Sequence, residues 1–167
     1  HGDFAGDYGL VAKWSNALDD TMTRVPLLIK SPNCKQGYVV REQVEMFDIM
    51  PTVLELANLE SEHKHFASSL VPQLHGEKGD PDRAVFSEGG YEPEEIPICV
   101  SKPTPGSGYY PKMKLQYDRP EDVSRSVMMR TLDYKLIKRT AGKCELYDLI
   151  EDPEELENKY YSSSYDN

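Results

Sequence analysis

Apolar and polar positions divide the chain into a first stretch of alternating α and β character and a second made of short β-prone runs. Residues 24–30 read Arg-Val-Pro-Leu-Leu-Ile-Lys and are closed by Ser-Pro-Asn. A continuous apolar run of that length, bounded by turn formers, predicts a central strand buried on both faces of a parallel sheet. Between 48 and 59, Ile49, Val53, Leu56 and Ala57 fall on one helical face, which predicts an amphipathic helix with Asp48 at its N-cap and Pro51 tolerated in the first turn. The polar run 60–65 then leaves this layer as an exposed connection, and a boundary is expected between it and Pro81.

Beyond that boundary the period changes. Residues 83–87 predict a short strand, and 89–120 hold most of the turn-forming residues of the chain, as a long loop or lid would. The runs 126–131, 134–139 and 144–149 are β-prone and separated by Leu132-Asp133 and Ala141-Gly142, the pattern of an antiparallel meander. Asp152, Pro153 and Glu155 stand at the N-cap, first and third positions of a capping-box start, so a short C-terminal helix is expected there, with fraying over 160–167. No internal repeat is present.

Charge narrows the partners. The 29 acidic residues outnumber the 19 basic ones for a net charge of -10, which repels phosphate backbones and anionic membrane surfaces and argues against nucleic acid and membrane as partners. An anionic substrate would need a locally positive site, built from a metal ion and a few placed cations. With 167 residues and 38% hydrophobic content the chain is long enough for a core of its own. No stretch approaches 18 consecutive apolar residues, and residues 1–10 have neither a basic start nor an apolar centre; no span and no signal peptide are expected in it. Cys34, Cys99 and Cys144 are widely spaced without a CxxC pair, so free structural thiols are expected.

Residues 1–13 read His-Gly-Asp-Phe-Ala-Gly-Asp-Tyr-Gly-Leu-Val-Ala-Lys, a mixture poor for packing and suited to a site, because glycines let the backbone pass close to a ligand. Taken singly, these residues have ordinary readings: His1 as a solvated terminus, Lys13 as a surface lysine, Asp3 and Asp7 as turn formers. His63 and His65 would suit zinc on one strand face, but no further ligands accompany them at ligand spacing, and an exposed linker is expected. Arg24, just before the apolar run, is expected to pair with a carboxylate in the core, a structural role.

Taken together, residues 1–13 resemble the sulfatase signature of Asp-His-Gly-Asp, a glycine, Gly-Leu and then Lys, with only the leading Asp missing. The resemblance continues through Arg-Val-Pro at 24–26, through Asp-Ile-Met-Pro-Thr at 48–52, similar to the family's Asp-x-x-Pro-Thr helix, and through Val-Phe-Ser-Glu at 85–88. It extends to Arg-Thr at 130–131, Tyr-Lys-Leu-Ile at 134–137, Leu-Tyr-Asp-Leu at 146–149 and Asp-Pro-x-Glu at 152–155. What it implies for the fold is an α/β, alkaline-phosphatase-like architecture. Residues 1–80 would be the C-terminal part of the large catalytic sheet domain, and 81–167 a small antiparallel-sheet subdomain with a C-terminal helix.

For the chemistry, the resemblance implies that His1 is a ligand of a divalent metal, most often calcium, whose partner Asp would precede residue 1. Lys13, twelve residues after His1, would be the catalytic lysine that contacts the sulfate and its bridging oxygen, where an ammonium stabilises charge on the leaving group. The implied mechanism is attack on sulfur by a hydrated formylglycine, with the metal and lysines neutralising the sulfate oxygens and a histidine releasing the covalent intermediate. The family's Cys/Ser-x-Pro-x-Arg motif is absent: Ser101-Lys-Pro-Thr-Pro105 ends in Pro where Arg is needed. Formylglycine is therefore expected in an N-terminal half outside this sequence, and the chain alone is expected to be inactive. The implied substrate is a sulfated small molecule or glycan, for which Tyr91, Tyr109, Tyr110, Lys112 and Lys114 offer aromatic and cationic contacts, the alternative for these residues being packing against a neighbouring chain. Pairing with the missing half, or oligomerisation, is expected of the sheet edge left open. Two alternatives remain: a phosphonate or phosphate monoester hydrolase of the same superfamily, and a non-catalytic folding or binding unit.

Overall fold

In the computed structural model, which describes residues 1–162, the elements follow in the order β1 (Phe4–Ala5), β2 (Val11–Ala12), α1 (Asp20–Thr23), α2 (Ile49–Leu56), α3 (Val71–Leu74), β3 (Val85–Gly89), α4 (Ile96–Cys99), α5 (Tyr110–Asp118), β4 (Ser126–Arg130), β5 (Tyr134–Arg139) and β6 (Glu145–Asp148). Their contacts divide the chain into two units: residues 1–25 pack with the chain from 86 onward, and residues 26–85 pack among themselves. Of the fraying expected over 160–167, residues 163–167 lie outside the described residues, while the N–H groups of Tyr160 and Ser162 are hydrogen-bonded, to Asn158 and to the Lys159 carbonyl.

The meander forms as the sequence predicts. β4, β5 and β6 pair antiparallel, with Met128 opposite Ile137 and Lys135 opposite Tyr147, and β3 completes a sheet of order β3-β4-β5-β6. Strand alternation turns Ser126 and Met128, Lys135 and Ile137, and Tyr147 to one buried face. The apolar part of that face, Met128, Ile137 and Tyr147, closes on Leu18 to form the core, with Leu149 against its edge.

The same face carries charge, and the segment 14–22 lies across it to satisfy that charge. The guanidinium of Arg139 donates to the Asn16 carbonyl at 3.0 Å and to Glu145 at 2.8 Å. Arg130 donates to both carboxylate oxygens of Asp20, at 3.1 and 3.0 Å. Trp14 donates to the Asp122 carbonyl at 2.7 Å, and Asn16 donates to the Ser124 carbonyl at 3.1 Å. Chain approach is close here: Gly90 has φ +81°, its N–H donates to the Ser15 carbonyl at 2.7 Å, and a Cβ added to it would lie 2.1 Å from the Ser124 carbonyl oxygen. Only glycine meets both conditions.

At the centre of this layer sits Lys135, wholly buried. Its three ammonium hydrogens find three acceptors: the Leu18 carbonyl at 3.2 Å, Asp20 at 2.6 Å and Glu155. Burial pushes the Glu155 carboxyl up from 4.5 to about 7, and Lys135 offsets that only in part, with Asp20 and Asp19 adding repulsion. Burial would raise Asp20 as well, but Lys135 and Arg130 together hold it below its ordinary value. An acid whose pKa is raised by folding binds its proton more tightly in the native state, so the stability it contributes is complete below about 4.5 and is lost as the pH rises through about 7. Thermal melting across that window should show the midpoint falling with pH, and Glu155→Gln should flatten the slope; an unchanged slope in the variant would mean that Glu155 does not titrate there.

Glu155 also explains why the predicted C-terminal helix does not form among the described residues. Its φ is +57°, in the left-handed region, and its carboxylate is turned in to Lys135. Asp152 instead accepts from the backbone of Leu156 at 3.0 Å and Glu157 at 2.7 Å, closing a turn. The predicted loop over 89–120 is also corrected, since it contains α4 and the nine-residue α5. Each starts on a proline in its first turn, where the missing N–H has no intrahelical role. α5 buries no residue and has no apolar stripe for a periodicity reading to find.

In residues 26–85 the organising group is Asp48, a fully buried carboxylate. It accepts from the backbone of Glu45 and Ser68, both at 2.8 Å, and from the Arg83 fork at 2.8 and 2.9 Å. Burial works to raise it, but the Arg83 fork and the two backbone donors hold it below the usual carboxylate range. The predicted helix is present as α2, but its buried face is not the predicted one. Val53 and Leu56 are exposed, and the buried residue is Thr52, which donates to the Asp48 carbonyl at 2.5 Å and accepts from the Leu70 N–H at 2.8 Å. A polar anchor one turn apart overrides the apolar stripe. Asp48 stands at the N-cap position of α2 as predicted, but its side chain caps the turn before it, by accepting from the Glu45 N–H, and makes no cap bond to α2.

Residues 24–30, predicted as a central strand, are not one. Leu28 is 90% exposed, and no described strand lies alongside to share its backbone hydrogen bonds, without which an apolar run has no reason to extend as a strand. Arg24 pairs with a carboxylate, Asp20 at 3.7 Å, but from an exposed position and not in the core.

Candidate active site

The first thirteen residues fold into a small hairpin. β1 pairs antiparallel with β2, Phe4 opposite Ala12 and Ala5 opposite Val11. The turn between them is closed by the Gly6 N–H donating to the Leu10 carbonyl at 3.0 Å, and Asp7 serves as a turn former by accepting from the Ala5 N–H at 3.1 Å. Phe4 is buried and meets the Tyr8 ring edge-on at 5.9 Å. The hairpin thus returns residue 13 to residue 1: the Lys13 Nζ lies 3.2 Å from the His1 Nε2.

Two backbone features hold that pair. The Gly2 N–H donates to the Met22 carbonyl at 2.9 Å, and a Cβ at Gly2 would sit 2.0 Å from the Thr21 carbonyl oxygen; a larger residue beside His1 would force the two segments apart. Ala12 has φ +59°, a left-handed conformation that disfavours an L side chain by roughly 1–2 kcal/mol. Strain of this kind is held only where the surroundings over-determine it, and it clusters at functional positions.

The hydrogen bonds define what each group offers. The His1 Nδ1 is 2.7 Å from the Gly2 carbonyl, so that nitrogen carries the proton and Nε2 presents a lone pair, to which Lys13 donates. A second cation enters from α5: the Lys112 ammonium donates to the Lys13 carbonyl, across 99 residues of sequence. Burial lowers the pKa of Lys112, the like charge of Lys13 lowers it further, and Asp3 opposes both.

Both site residues read from the sequence, His1 and Lys13, are therefore side by side. Lys112 had no local signal beyond membership of a loop with aromatic and cationic residues, because its neighbour lies far away in sequence. His63 and His65 are exposed, their rings 6.3 Å apart, and Cys34, Cys99 and Cys144 are free thiols. Among the described residues no three His, Cys, Asp or Glu side chains group as a cation shell. Calcium takes six to eight donors, mostly oxygens, and zinc takes four. The residues present fit at most one position of such a shell, the His1 Nε2, whose lone pair here accepts from Lys13, and do not form one by themselves.

No family model matches the chain. A sulfatase of Formosa agariphila is 37% identical over 90 residues, 54% of this chain and 17% of that protein. The solved structure of a 2-O GAG sulfatase superposes with a TM-score of 0.70 at 26% identity, over 99% of this chain and 31% of that one. The phosphonate monoester hydrolase of Agrobacterium radiobacter shares the fold, with a TM-score of 0.54 at 22% identity over 75% of this chain and 22% of that one. The chain thus spans under a third of the length of each protein it resembles.

Proposed function

Because this chain belongs to the sulfatase family and has the alkaline-phosphatase-like fold of a C-terminal portion of such enzymes, we propose that it supplies the leaving-group side of a sulfate-ester hydrolase site. The observation that carries this reading is the Lys13 ammonium, 3.2 Å from the lone-pair nitrogen of His1 and held there by the hairpin. A compact positive charge fixed at a site in a chain of net charge -10 is what an anionic ester requires.

In this account Lys13 binds a sulfate oxygen and stabilises the negative charge that grows on the bridging oxygen as the S–O bond breaks. Its charge is greatest in effect at the transition state, so it acts on kcat more than on binding. His1 would offer Nε2 as one donor to a divalent metal, calcium being the family's usual ion, only in exchange for its contact with Lys13, since that nitrogen has a single lone pair; the ammonium then turns to the sulfate, and the remaining donors come from beyond the described residues. When bound, that ion supplies positive charge to the sulfate. A formylglycine nucleophile is likewise assigned to a part of the protein outside this sequence, and the chain alone is expected to turn over no ester. The full-chain likeness to a 2-O GAG sulfatase supports a sulfated glycan as substrate.

A phosphonate or phosphate monoester hydrolase is the second reading, favoured by the fold shared with the Agrobacterium enzyme. The two are separated by parallel kinetics on 4-nitrophenyl sulfate, 4-nitrophenyl phosphate and a phenylphosphonate monoester, using the intact protein that contains this chain. The sulfate ester should have the highest kcat/KM. A higher value on either phosphorus ester would transfer the assignment.

A further inference from the structure

We propose that Lys112 is a specificity-determining residue, which selects substrates carrying a second negative charge beside the ester being cleaved. The proposal rests on the sulfate-ester reading of His1 and Lys13. Lys112 approaches the root of the Lys13 side chain, at the backbone carbonyl, while the Lys13 ammonium is at the tip, against His1. The two positive charges are near enough for Lys13 to act on Lys112, yet they are held at different points, one against His1 and one against the Lys13 backbone, so Lys112 is placed to take an anionic group beside the one that Lys13 binds.

The electrostatics point the same way. Lys112 is half-buried, and among the described residues its ammonium makes one hydrogen bond, to a neutral carbonyl. Two hydrogens of that ammonium remain for another acceptor. No described carboxylate hydrogen-bonds either ammonium, and Asp3 is the carboxylate whose charge bears on Lys112. The exposed Lys13 ammonium repels the half-buried one of Lys112, in a chain with acidic residues to spare for pairing. An anion between or beside them removes that repulsion, and an uncharged group there does not. The fitting class is a sulfated saccharide with a carboxylate or a second sulfate next to the scissile sulfate, and a plain aryl sulfate leaves Lys112 without its partner.

The test compares a sulfated uronic-acid disaccharide with its methyl ester, hydrolysed by the intact protein and by Lys112→Met and Lys112→Arg. The wild type should prefer the acid, Lys112→Met should lower the acid-over-ester ratio of kcat/KM by about tenfold through KM, and Lys112→Arg should restore most of it. An equal loss on both substrates would assign Lys112 to holding the Lys13 backbone in place and overturn the proposal, as would no loss on either. Should the wild type cleave phosphate esters and not sulfate esters, the sulfatase reading fails separately, and the same acid and methyl-ester pair built on a phosphate ester decides Lys112.

Discussion

Lys135→Met should destabilise the protein by about 3–5 kcal/mol at pH 8 in urea unfolding, because it leaves buried carboxylates without their cation. Lys135 is fully buried and bonded to the Leu18 carbonyl, Asp20 and Glu155. Arg130 keeps Asp20 compensated, so most of the loss falls on Glu155. That assignment has a pH signature: burial already pushes the Glu155 carboxyl up to about 7, and without Lys135 it takes up a proton more readily still, so the loss should shrink as the pH falls below that value. The double variant Lys135→Met with Glu155→Gln removes both charges and should recover much of the stability, as replacement of whole buried pairs often does. A loss independent of pH, or a double variant no better than the single, would show that packing rather than charge dominates.

The larger functional effect belongs to Lys13. Lys13→Ala in the intact protein should lower kcat on a sulfate ester by about 10²–10³, the usual consequence of removing one preorganised charge from a developing anion. KM should change less, since the interaction strengthens as the bond breaks. The fold should survive, because Lys13 is exposed and its ammonium bonds only to His1 among the described residues. Circular dichroism and melting of the variant provide that control. A rise in KM with kcat intact would recast Lys13 as a binding residue.

Local pattern carried the antiparallel meander, whose period of two and turn residues are self-contained; His1 and Lys13 are picked out only by the resemblance to the sulfatase signature, and the hairpin brings the two together. Local pattern failed where distant partners decide. The face of α2 follows from Arg83 gripping Asp48 across 35 residues, and that anchor buries Thr52 in place of Val53 and Leu56. The turn at Glu155 follows from Lys135, twenty residues earlier in a strand, against a local capping box that called for a helix. Residues 24–30 have the composition of a central strand, but composition cannot supply the neighbouring strand that would make them one. Lys112 reaches the site from 99 residues away on a helix without an apolar stripe. At α2 and at Glu155 a charged or polar contact between remote residues outweighed the local preference.

The most direct test of the role assigned to Lys13 is a leaving-group series: kcat/KM on aryl and alkyl sulfates of rising leaving-group pKa, for the intact protein and for Lys13→Ala. If Lys13 stabilises the departing oxygen, the variant's loss should grow as the leaving group becomes poorer, so that its plot of log rate against leaving-group pKa is steeper than the wild type's. Parallel plots, with the same loss for nitrophenyl and alkyl sulfates, would contradict it and place Lys13 away from the breaking bond.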